Sequence, residues 1–231
     1  FFDSVPHELT NVNGTLYFTA FTDETRWELW KSDGTTAGTV LIKDIFPGFF
    51  RASNPSLLTN VNGKLMFTAE EGLNGVELWT SDGTAAGTVL VKDVHPGSNG
   101  SSPRSLTNVN GTLFFTACGA GGFELWKSDT TSGGTQLVSV LNANGLSQFT
   151  DLLAPSATNA KGTFFFTAEH PVAGFELWKS DGTSAGTSVV KDIVPGSDSS
   201  RAGLLTALNG NVFFAANEPL SGPELWKSDG T

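Results

Sequence analysis

The segment Glu-Leu-Trp-x-Ser-Asp occurs five times in this chain of 231 residues. Its tryptophans are separated by 49, 47, 52 and 48 residues, and they are Trp30, Trp79, Trp126, Trp178 and Trp226. A supersecondary unit repeated at intervals of this length is typical of solenoids, propellers and other repeat arrays. The chain is therefore predicted to fold as one small unit built five times.

Each repeat is predicted to contain four short antiparallel strands. In the second repeat the strand-like segments are residues 56–61, 64–69, 76–80 and 89–94. The first two flank Asn62-Gly63, a pair that favours the two positive φ angles of a type I′ hairpin turn. Pro96-Gly97 follows the fourth segment, and proline cannot continue a β-ladder.

Two strands carry apolar runs that break the alternation of a sheet with one wet face, Leu113-Phe114-Phe115 and Phe164-Phe165-Phe166. Both faces of such sheets must be covered. Radially arranged blades meet that demand, whereas a linear array needs polar end caps, which the repeats lack. We therefore expect an all-β fold, a β-propeller of five blades with four antiparallel strands each.

The predicted single domain spans residues 1–231, with blades at approximately 1–48, 49–97, 98–145, 146–196 and 197–231. A hairpin turn marks each repeat, at Asn13-Gly14, Asn62-Gly63, Asn110-Gly111, Lys161-Gly162 and Asn209-Gly210. The fifth repeat lacks its fourth strand, of pattern Gly-Thr-x-x-x-Lys-Asp, which is expected either after Thr231 or before Phe1. The chain is accordingly interpreted as a fragment of a longer protein.

The third repeat departs from the others. Thr130 stands where the other repeats have glycine, and the outer strand at residues 136–140 lacks both Lys-Asp and Pro-Gly. Asn144-Gly145 is expected to end this strand instead. Extra residues between Leu141 and Ala157 predict an irregular loop.

Three segments together resemble the ELWxxDGT repeat family: Leu-Phe-Phe-Thr-Ala, Glu-Leu-Trp-Lys-Ser-Asp-Gly-Thr-x-x-Gly-Thr and Lys-Asp-Ile-x-Pro-Gly. The resemblance covers essentially the whole chain. It implies a β-propeller from a large secreted or cell-surface protein, mostly bacterial and often joined to adhesion or anchoring modules. It implies no catalytic chemistry and no named ligand.

Charge and hydropathy exclude several classes of partner. The 13 basic and 23 acidic residues give a net charge of −10, which disfavours nucleic acid, since phosphate backbones bind clustered lysine and arginine. No run of 18 apolar residues occurs, so no membrane insertion is predicted. Cys118 is the only cysteine and is interpreted as a small packed residue.

An aspartate recurs in every Ser-Asp-Gly or Ser-Asp-Thr turn, at Asp33, Asp82, Asp129, Asp181 and Asp229. Its carboxylate can accept hydrogen bonds from backbone N–H groups just ahead and fix the turn. The alternative is a calcium site using Asp33, Asp82 and Asp181, because carboxylates suit a hard cation. The Asp-x-Asp-x-Asp-Gly pattern of a calcium loop is absent, so the turn interpretation is preferred and no cofactor is predicted.

The repeated tryptophans and glutamates are the candidate ligand-binding residues. The tryptophans either fill space between blades or form platforms for sugar rings. The glutamates lie in half-buried strands and need a partner, either repeated lysines such as Lys43, Lys92 and Lys191 or a cluster of backbone N–H groups. These glutamates are Glu28, Glu77, Glu124, Glu176 and Glu224.

Catalytic machinery is not predicted. His7, His95 and His170 occupy unrelated positions in their repeats, so they do not suggest a three-histidine metal site. No Gly-x-Ser-x-Gly elbow occurs. Paired carboxylates for glycoside hydrolysis at a central mouth remain the only enzymatic alternative.

The leading hypothesis is a non-enzymatic extracellular or cell-surface binding and adhesion module. Near-equivalent blades could present several weak lectin-like sites, with carbohydrate as the first ligand class to test, because multivalency raises avidity. The second hypothesis is a structural scaffold or protein-interaction propeller that contacts an extracellular protein through loops 21–24 and 46–50, including Phe49 and Phe50. An enzyme with a site in the central mouth is the third.

Overall fold

A computed structural model describes residues 3–48, 51–143, 156–218 and 222–231. In these ranges the chain forms 19 β-strands and no helix. The strands make five antiparallel sheets, four with four strands and one with three, and each sheet follows chain order. The predicted all-β class and the four-stranded repeat are confirmed.

The strands have the following bounds. The first sheet consists of β1 (His7–Val12), β2 (Thr15–Thr22), β3 (Arg26–Ser32) and β4 (Val40–Lys43). The second consists of β5 (Ser56–Val61), β6 (Lys64–Glu71), β7 (Gly75–Ser81) and β8 (Val89–Lys92). The third consists of β9 (Arg104–Val109), β10 (Thr112–Gly119), β11 (Gly122–Ser128) and β12 (Gln136–Asn142). The fourth consists of β13 (Ala157–Ala160), β14 (Thr163–His170), β15 (Gly174–Ser180) and β16 (Ser188–Lys191). The fifth consists of β17 (Gly203–Leu208), β18 (Asn211–Glu218) and β19 (Gly222–Ser228).

The first hairpin of every sheet turns through two residues with positive φ, as predicted. In the second sheet Asn62 and Gly63 have φ of 52° and 80°, which are the angles of a type I′ turn. Lys161 adopts the same left-handed conformation, with φ of 51°, where the other repeats have asparagine. The Asn60 side chain accepts a hydrogen bond from the Gly63 N–H at 3.0 Å, so the preceding asparagine also fixes the turn.

A β-bulge in the first strand was not predicted. The register between β5 and β6 shifts between Ser56 and Thr59, and Leu57 within the bulge has a φ of 56°. Equivalent left-handed residues occur at Glu8, Ser105 and Leu204. Because these positions hold no glycine, the sequence carries no local signal for the bulge.

The third and fifth sheets deviate from the repeat. In the third sheet β12 is seven residues long, against four in the other fourth strands, and it runs past the predicted end at Val140. The predicted terminator Asn144-Gly145 and most of the predicted irregular loop lie outside the described residues. Within the described residues the fifth sheet has three strands, and the incomplete fifth blade stays a prediction.

The chain divides into two compact units, one comprising Phe1–Pro103 and Ser128–Thr135, the other Arg104–Lys127 and Gln136–Thr231. In the first unit the core lies between the first two sheets, where Leu29 and Ile42 cluster with Phe67 and Trp79. In the second unit, apolar clusters lie between the third and fourth sheets and between the fourth and fifth. Within each unit the sheets therefore stack face to face. The predicted single domain stays a prediction.

Candidate functional site

The glutamate of the third strand is buried in the first four sheets. Glu28 has no exposed surface, and its carboxylate accepts three hydrogen bonds. The N–H groups of Ile45 and Ser53 donate at 3.1 Å each, and the Ser53 hydroxyl donates at 2.5 Å. The side chain thus ties the third strand to the loop that follows the fourth strand.

The same arrangement recurs in both units. Glu77 accepts from the Ser101 N–H at 2.7 Å, from the Ser101 hydroxyl at 2.5 Å and from the Val94 N–H at 3.3 Å. Glu176 accepts from the N–H and hydroxyl of Ser200 at 3.0 and 2.6 Å. Of the two partners considered from sequence, the backbone N–H cluster is therefore the one found, together with a serine that the sequence analysis missed.

Burial dominates the electrostatics of these carboxylates. Removal from water raises the pKa of Glu28, Glu77 and Glu176 above the ordinary glutamate value, and the serine hydrogen bonds oppose that rise. Asp44 raises the pKa of Glu28 slightly further through like-charge repulsion. Such perturbed carboxylates often mark active sites, but here each one is enclosed by donors of its own backbone.

The third and fifth sheets break this equivalence. Glu124 is buried, but it accepts from the Gly121 N–H at 2.8 Å and from the Trp126 indole N–H at 2.9 Å. Glu224 in the fifth sheet is exposed. The five glutamates are therefore one repeated residue type in three different environments.

The repeated lysines connect successive repeats through backbone carbonyls. Lys43 donates to the carbonyl of Thr88 at 2.8 Å, and Lys31 donates to that of Gly83 at 2.7 Å. Similar bonds run from Lys92 to Thr135, from Lys127 to Gly182 and from Lys179 to Gly230. The lysine of one repeat thus holds the Ser-Asp-Gly-Thr turn of the next, a role the sequence analysis did not assign.

The aspartate of each turn is held by the threonine two residues ahead. Oδ1 of Asp82 accepts from the N–H and the hydroxyl of Thr84 at 2.9 and 2.7 Å. The Thr84 hydroxyl in turn accepts from the Gly87 N–H at 2.9 Å. The same pair of aspartate bonds occurs at Asp33, Asp129, Asp181 and Asp229.

The two glycines of this turn are required for different physical reasons. Gly83 has a φ of 87°, in the region that favours glycine. Gly87 has no such φ, but a Cβ at this position would overlap the Asp82 carboxylate. In the third repeat Thr130 adopts a φ of 79° and keeps the turn, with its N–H donating to the Ser128 hydroxyl at 3.0 Å.

These contacts explain the repeated aspartates as residues that stabilise the turn. The threonine hydrogen bonds hold the pKa of Asp33, Asp82 and Asp181 below the ordinary value. In the described part of the chain, no three His, Cys, Asp or Glu side chains are grouped to hold a metal ion. Calcium binding at Asp33, Asp82 and Asp181 therefore stays a sequence-based alternative.

The tryptophans divide by burial. Trp79 and Trp178 are only 3% and 6% exposed and belong to the apolar clusters. Trp30, Trp126 and Trp226 are half-buried. The Trp178 indole N–H donates to the Ala168 carbonyl at 3.0 Å, so its polar group points into the protein. Ring faces accessible to a ligand are restricted to the half-buried members.

The loops between second and third strands expose apolar side chains that sequence reasoning missed. Leu73 in the second repeat is 81% exposed and Val172 in the fourth is 69% exposed. Each follows a glycine or proline at the tip of a loop whose residues differ between repeats. That variability within otherwise similar repeats was the available signal. Of the two loops proposed from sequence, the tip at Asp23 and Glu24 is exposed, and Phe49 and Phe50 lie outside the described residues.

Comparison with known proteins gives structural matches alone. No family model matches the chain, and no curated protein matches it. A puromycin hydrolase mutant crystallised with PGG matches with a TM-score of 0.61 and 15% identity over 97% of this chain and 36% of that one. TolB from Acinetobacter baumannii matches at 0.52 and 15% identity, over 94% and 50%. A nidogen/laminin complex matches at 0.50 and 11% identity, over 93% and 73%.

These likenesses, at such low identity, concern the fold. TolB and nidogen are β-propeller proteins, and the repeated four-stranded antiparallel sheets match that class. The chain is a β-propeller-type repeat protein, and it spans about a third of the puromycin hydrolase chain. Among the described residues there is no apolar helix of membrane-spanning length.

Proposed function

We propose that this chain is a non-enzymatic extracellular binding and adhesion module whose repeated residues form the scaffold and whose variable loops contact a protein partner. The observation that carries the proposal is the enclosure of Glu28, Glu77 and Glu176 by their own backbone donors. A carboxylate with no exposed surface and several hydrogen bonds is not available to a ligand. The most distinctive repeated charge therefore serves the fold.

The same observation supports the absence of catalysis. General acid–base chemistry needs a perturbed group within hydrogen-bond reach of a substrate proton. The raised-pKa glutamates instead face Ser53, Ser101 and Ser200 in the interior. Their repetition in equivalent surroundings also fits a structural role, because a catalytic site concentrates unlike groups in one place.

The exposed apolar tips support a protein partner. Leu73 and Val172 project from variable loops, and solvent-exposed apolar groups at loop tips are suited to burial against another protein. Leu73 and Val172 lie in different compact units, and each is proposed as a separate contact with the protein partner. Membership of the ELWxxDGT repeat family and a place in a longer surface protein are part of this proposal.

The proposal can be tested by probing biotinylated protein on arrays of extracellular proteins and of glycans. We expect binding to a protein target that falls when Leu73→Ser or Val172→Ser is introduced. Because both side chains are exposed, neither change should alter the melting temperature. Exposed Leu208→Ser serves as the matched control. Equal binding by all four proteins would contradict the assignment to these loops.

Carbohydrate binding is the second candidate, because Trp30, Trp126 and Trp226 keep part of their rings at the surface. Half-exposed indole rings can stack on sugars. This function predicts a glycan-array signal that Trp30→Ala and Trp126→Ala reduce and that Leu73→Ser leaves unchanged. Hydrolysis products from a bound glycan would instead favour an enzyme.

A further inference from the structure

Two loops of one compact unit meet at Gly72. Phe46 and Arg51 belong to the connection between β4 and β5. Gly72 and Leu73 belong to the hairpin between β6 and β7, and both loops lie in the same unit. A Cβ at Gly72 would lie 2.5 Å from Cζ of Phe46 and 3.3 Å from Nη1 of Arg51. The contact between the loops therefore places Arg51 next to the exposed tip at Leu73.

The glycine at position 72 is required by space rather than by backbone conformation. Gly72 is not among the residues with positive φ, so its backbone is open to any residue. The Phe46 ring occupies the place that a side chain at this position would take. A residue larger than glycine would push the ring away from the hairpin, because aromatic carbons cannot approach a Cβ this closely.

Arg51 is held against this ring. Its guanidinium carbon lies 4.7 Å from the centroid of the Phe46 ring, which is a cation–π contact. The Arg51 side chain is exposed, and its guanidinium makes no hydrogen bond or ion pair with the residues that the structure describes. A guanidinium presents five N–H donors in a plane that matches a carboxylate in a bidentate pair. Stacking on Phe46 therefore orients a cation whose preferred ligand is a carboxylate.

The tip that carries Leu73 is also held in place. The N–H of Asn74 donates to the carbonyl of Glu71 at 3.0 Å, and the Asn74 side-chain amide donates to Oε1 of Glu71 at 2.7 Å. These two bonds close the turn and engage the Glu71 carboxylate. Leu73 at the tip is 81% exposed, at a position where turns usually carry glycine or a small polar residue. Because the turn is already fixed, burying Leu73 against a partner costs little conformational entropy.

The combination of Phe46 and Arg51 is specific to the first connection. Residues 46–51 read Phe-Pro-Gly-Phe-Phe-Arg, whereas residues 95–100 read His-Pro-Gly-Ser-Asn-Gly and residues 194–199 read Val-Pro-Gly-Ser-Asp-Ser. The connection ahead of the Val172 hairpin, residues 143–156, contains no arginine or lysine. The tip at Leu73 therefore differs from the tip at Val172 in having a cation beside it.

We propose that Arg51 and Leu73 together bind a protein partner through an acidic residue next to an apolar pocket. The partner's carboxylate pairs with the guanidinium of Arg51, and Leu73 enters the pocket. This inference rests on the proposed function, in which the tip at Leu73 contacts a protein, and it adds the chemistry of that partner. The net charge of −10 disfavours an acidic partner over the surface as a whole, so the oriented cation determines where such a partner docks. A sugar is disfavoured here, because the Phe46 ring supports the guanidinium and the neighbouring exposed group is aliphatic.

The experiment selects binders to the 231-residue protein from a phage-displayed library of random peptides. Enriched peptides are then labelled, and their dissociation constants are measured by fluorescence anisotropy at low and high NaCl. Among peptides that lose binding to the Leu73→Ser protein, we expect enrichment of aspartate or glutamate next to an apolar residue. Arg51→Gln should weaken their binding at least about tenfold and remove most of its salt dependence. The Arg51 side chain is exposed, so the variant is expected to fold.

A second variant tests the support of the cation without changing either binding residue. Gly72→Ala keeps Arg51 and Leu73 but displaces the Phe46 ring, so it should weaken binding by at least about fivefold. Gly133→Ala is the matched control, because a Cβ there meets no atom within 4 Å, and it should bind as wild type does. Circular dichroism confirms that both variants are folded.

The outcomes separate this inference from the proposed function. Peptides that depend on Leu73 but bind the Arg51→Gln protein equally well would overturn the inference and leave the protein contact at Leu73 intact. If no selected peptide depends on Leu73, both the inference and the assignment of a protein contact to this tip are wrong. Binding of uronate-rich glycans that is lost on Arg51→Gln, without peptide binding, would assign the guanidinium to a carbohydrate and likewise overturn the inference.

Discussion

At the scale of single residues, burial of each glutamate costs hydration free energy, and hydrogen bonds within the protein compensate for part of that cost. Glu77 loses its hydration in a sheet interior, and the N–H and hydroxyl of Ser101 replace part of it. Desolvation remains the larger effect, because the pKa of Glu77 is raised. The folded protein therefore holds the Glu77 proton more tightly than the unfolded chain does.

This linkage predicts a pH effect for Glu77→Gln. Where the folded state binds more protons than the unfolded state, stability falls as pH rises, by at most about 1.4 kcal/mol per pH unit for one proton. That contribution begins near the ordinary glutamate value of 4.5 and ends above the raised folded pKa. The variant lacks it, so its unfolding free energy relative to wild type should improve as pH increases from about 4.5 to 7. Urea unfolding at several pH values measures the difference.

The control for this experiment is Glu24→Gln, which removes one charge from an exposed loop. Its stability relative to wild type should change little over the same pH range. A Glu77→Gln variant whose relative stability is independent of pH, or worsens as pH rises, would show that burial does not dominate at Glu77.

At the scale of elements, the turn between the third and fourth strands is a self-contained network of short-range hydrogen bonds. The aspartate, threonine and second glycine depend on one another, because the glycine leaves room for the carboxylate that the threonine holds. A motif of eight consecutive residues can therefore specify its own conformation. This explains why the turn persists in the third repeat despite Thr130.

Two adjacent glycines in the third repeat provide a matched test. Gly134→Ala should lower the melting temperature by a few degrees, because the new Cβ displaces the Asp129 carboxylate from Thr131. Gly133→Ala should be neutral or slightly stabilising, because a Cβ there meets no atom within 4 Å and alanine restricts the unfolded chain. Thermal unfolding by circular dichroism distinguishes them. Equal effects of the two substitutions would exclude a role for the carboxylate contact.

The complete and incomplete sheets predict different costs for removing the same motif residue. Trp79→Ala should destabilise the protein by about 3–5 kcal/mol, because Trp79 is buried between two sheets in a cluster against which Leu90 of the fourth strand packs. Trp226→Ala should cost less than half of that, because Trp226 is half-buried and borders an open cavity. Urea unfolding measures both. Equal costs would mean that the fourth strand adds little to tryptophan packing.

At the scale of the whole molecule, the repeated acidic and basic residues have different roles. The aspartate turns are exposed and recur in all five repeats, which contributes to the net charge of −10 and favours solubility. The lysines instead reach backbone carbonyls of the next repeat, so they link successive sheets within each unit. The proposed binding function is therefore assigned to features that differ between repeats, namely the loop tips at Leu73 and Val172.

The strands and hairpin turns could be predicted from sequence, because each depends on residues close together in the chain. Asn-Gly pairs predict hairpin turns locally, and comparison of the repeats predicts which segments form equivalent strands. The partner of each glutamate could not be predicted in this way. Ser53 and Ser101 lie 25 and 24 residues from Glu28 and Glu77, and no local pattern states that a loop will return to that carboxylate.

The burial of the tryptophans was likewise decided by tertiary structure, since five copies of one motif differ in how much sheet surrounds them. Trp79 and Trp226 have nearly the same neighbours in sequence, yet one is enclosed and the other borders a cavity. Leu225 is 78% exposed for a related reason, since in the described residues no following sheet covers it, whereas Leu29 at the same position is buried against Phe67 and Trp79 of the next sheet. The amino-acid sequence by itself determined the repeating unit and its turns through short-range hydrogen bonding and periodicity. Only the packing of each sheet against its neighbours decided which repeated residues are buried and which are exposed.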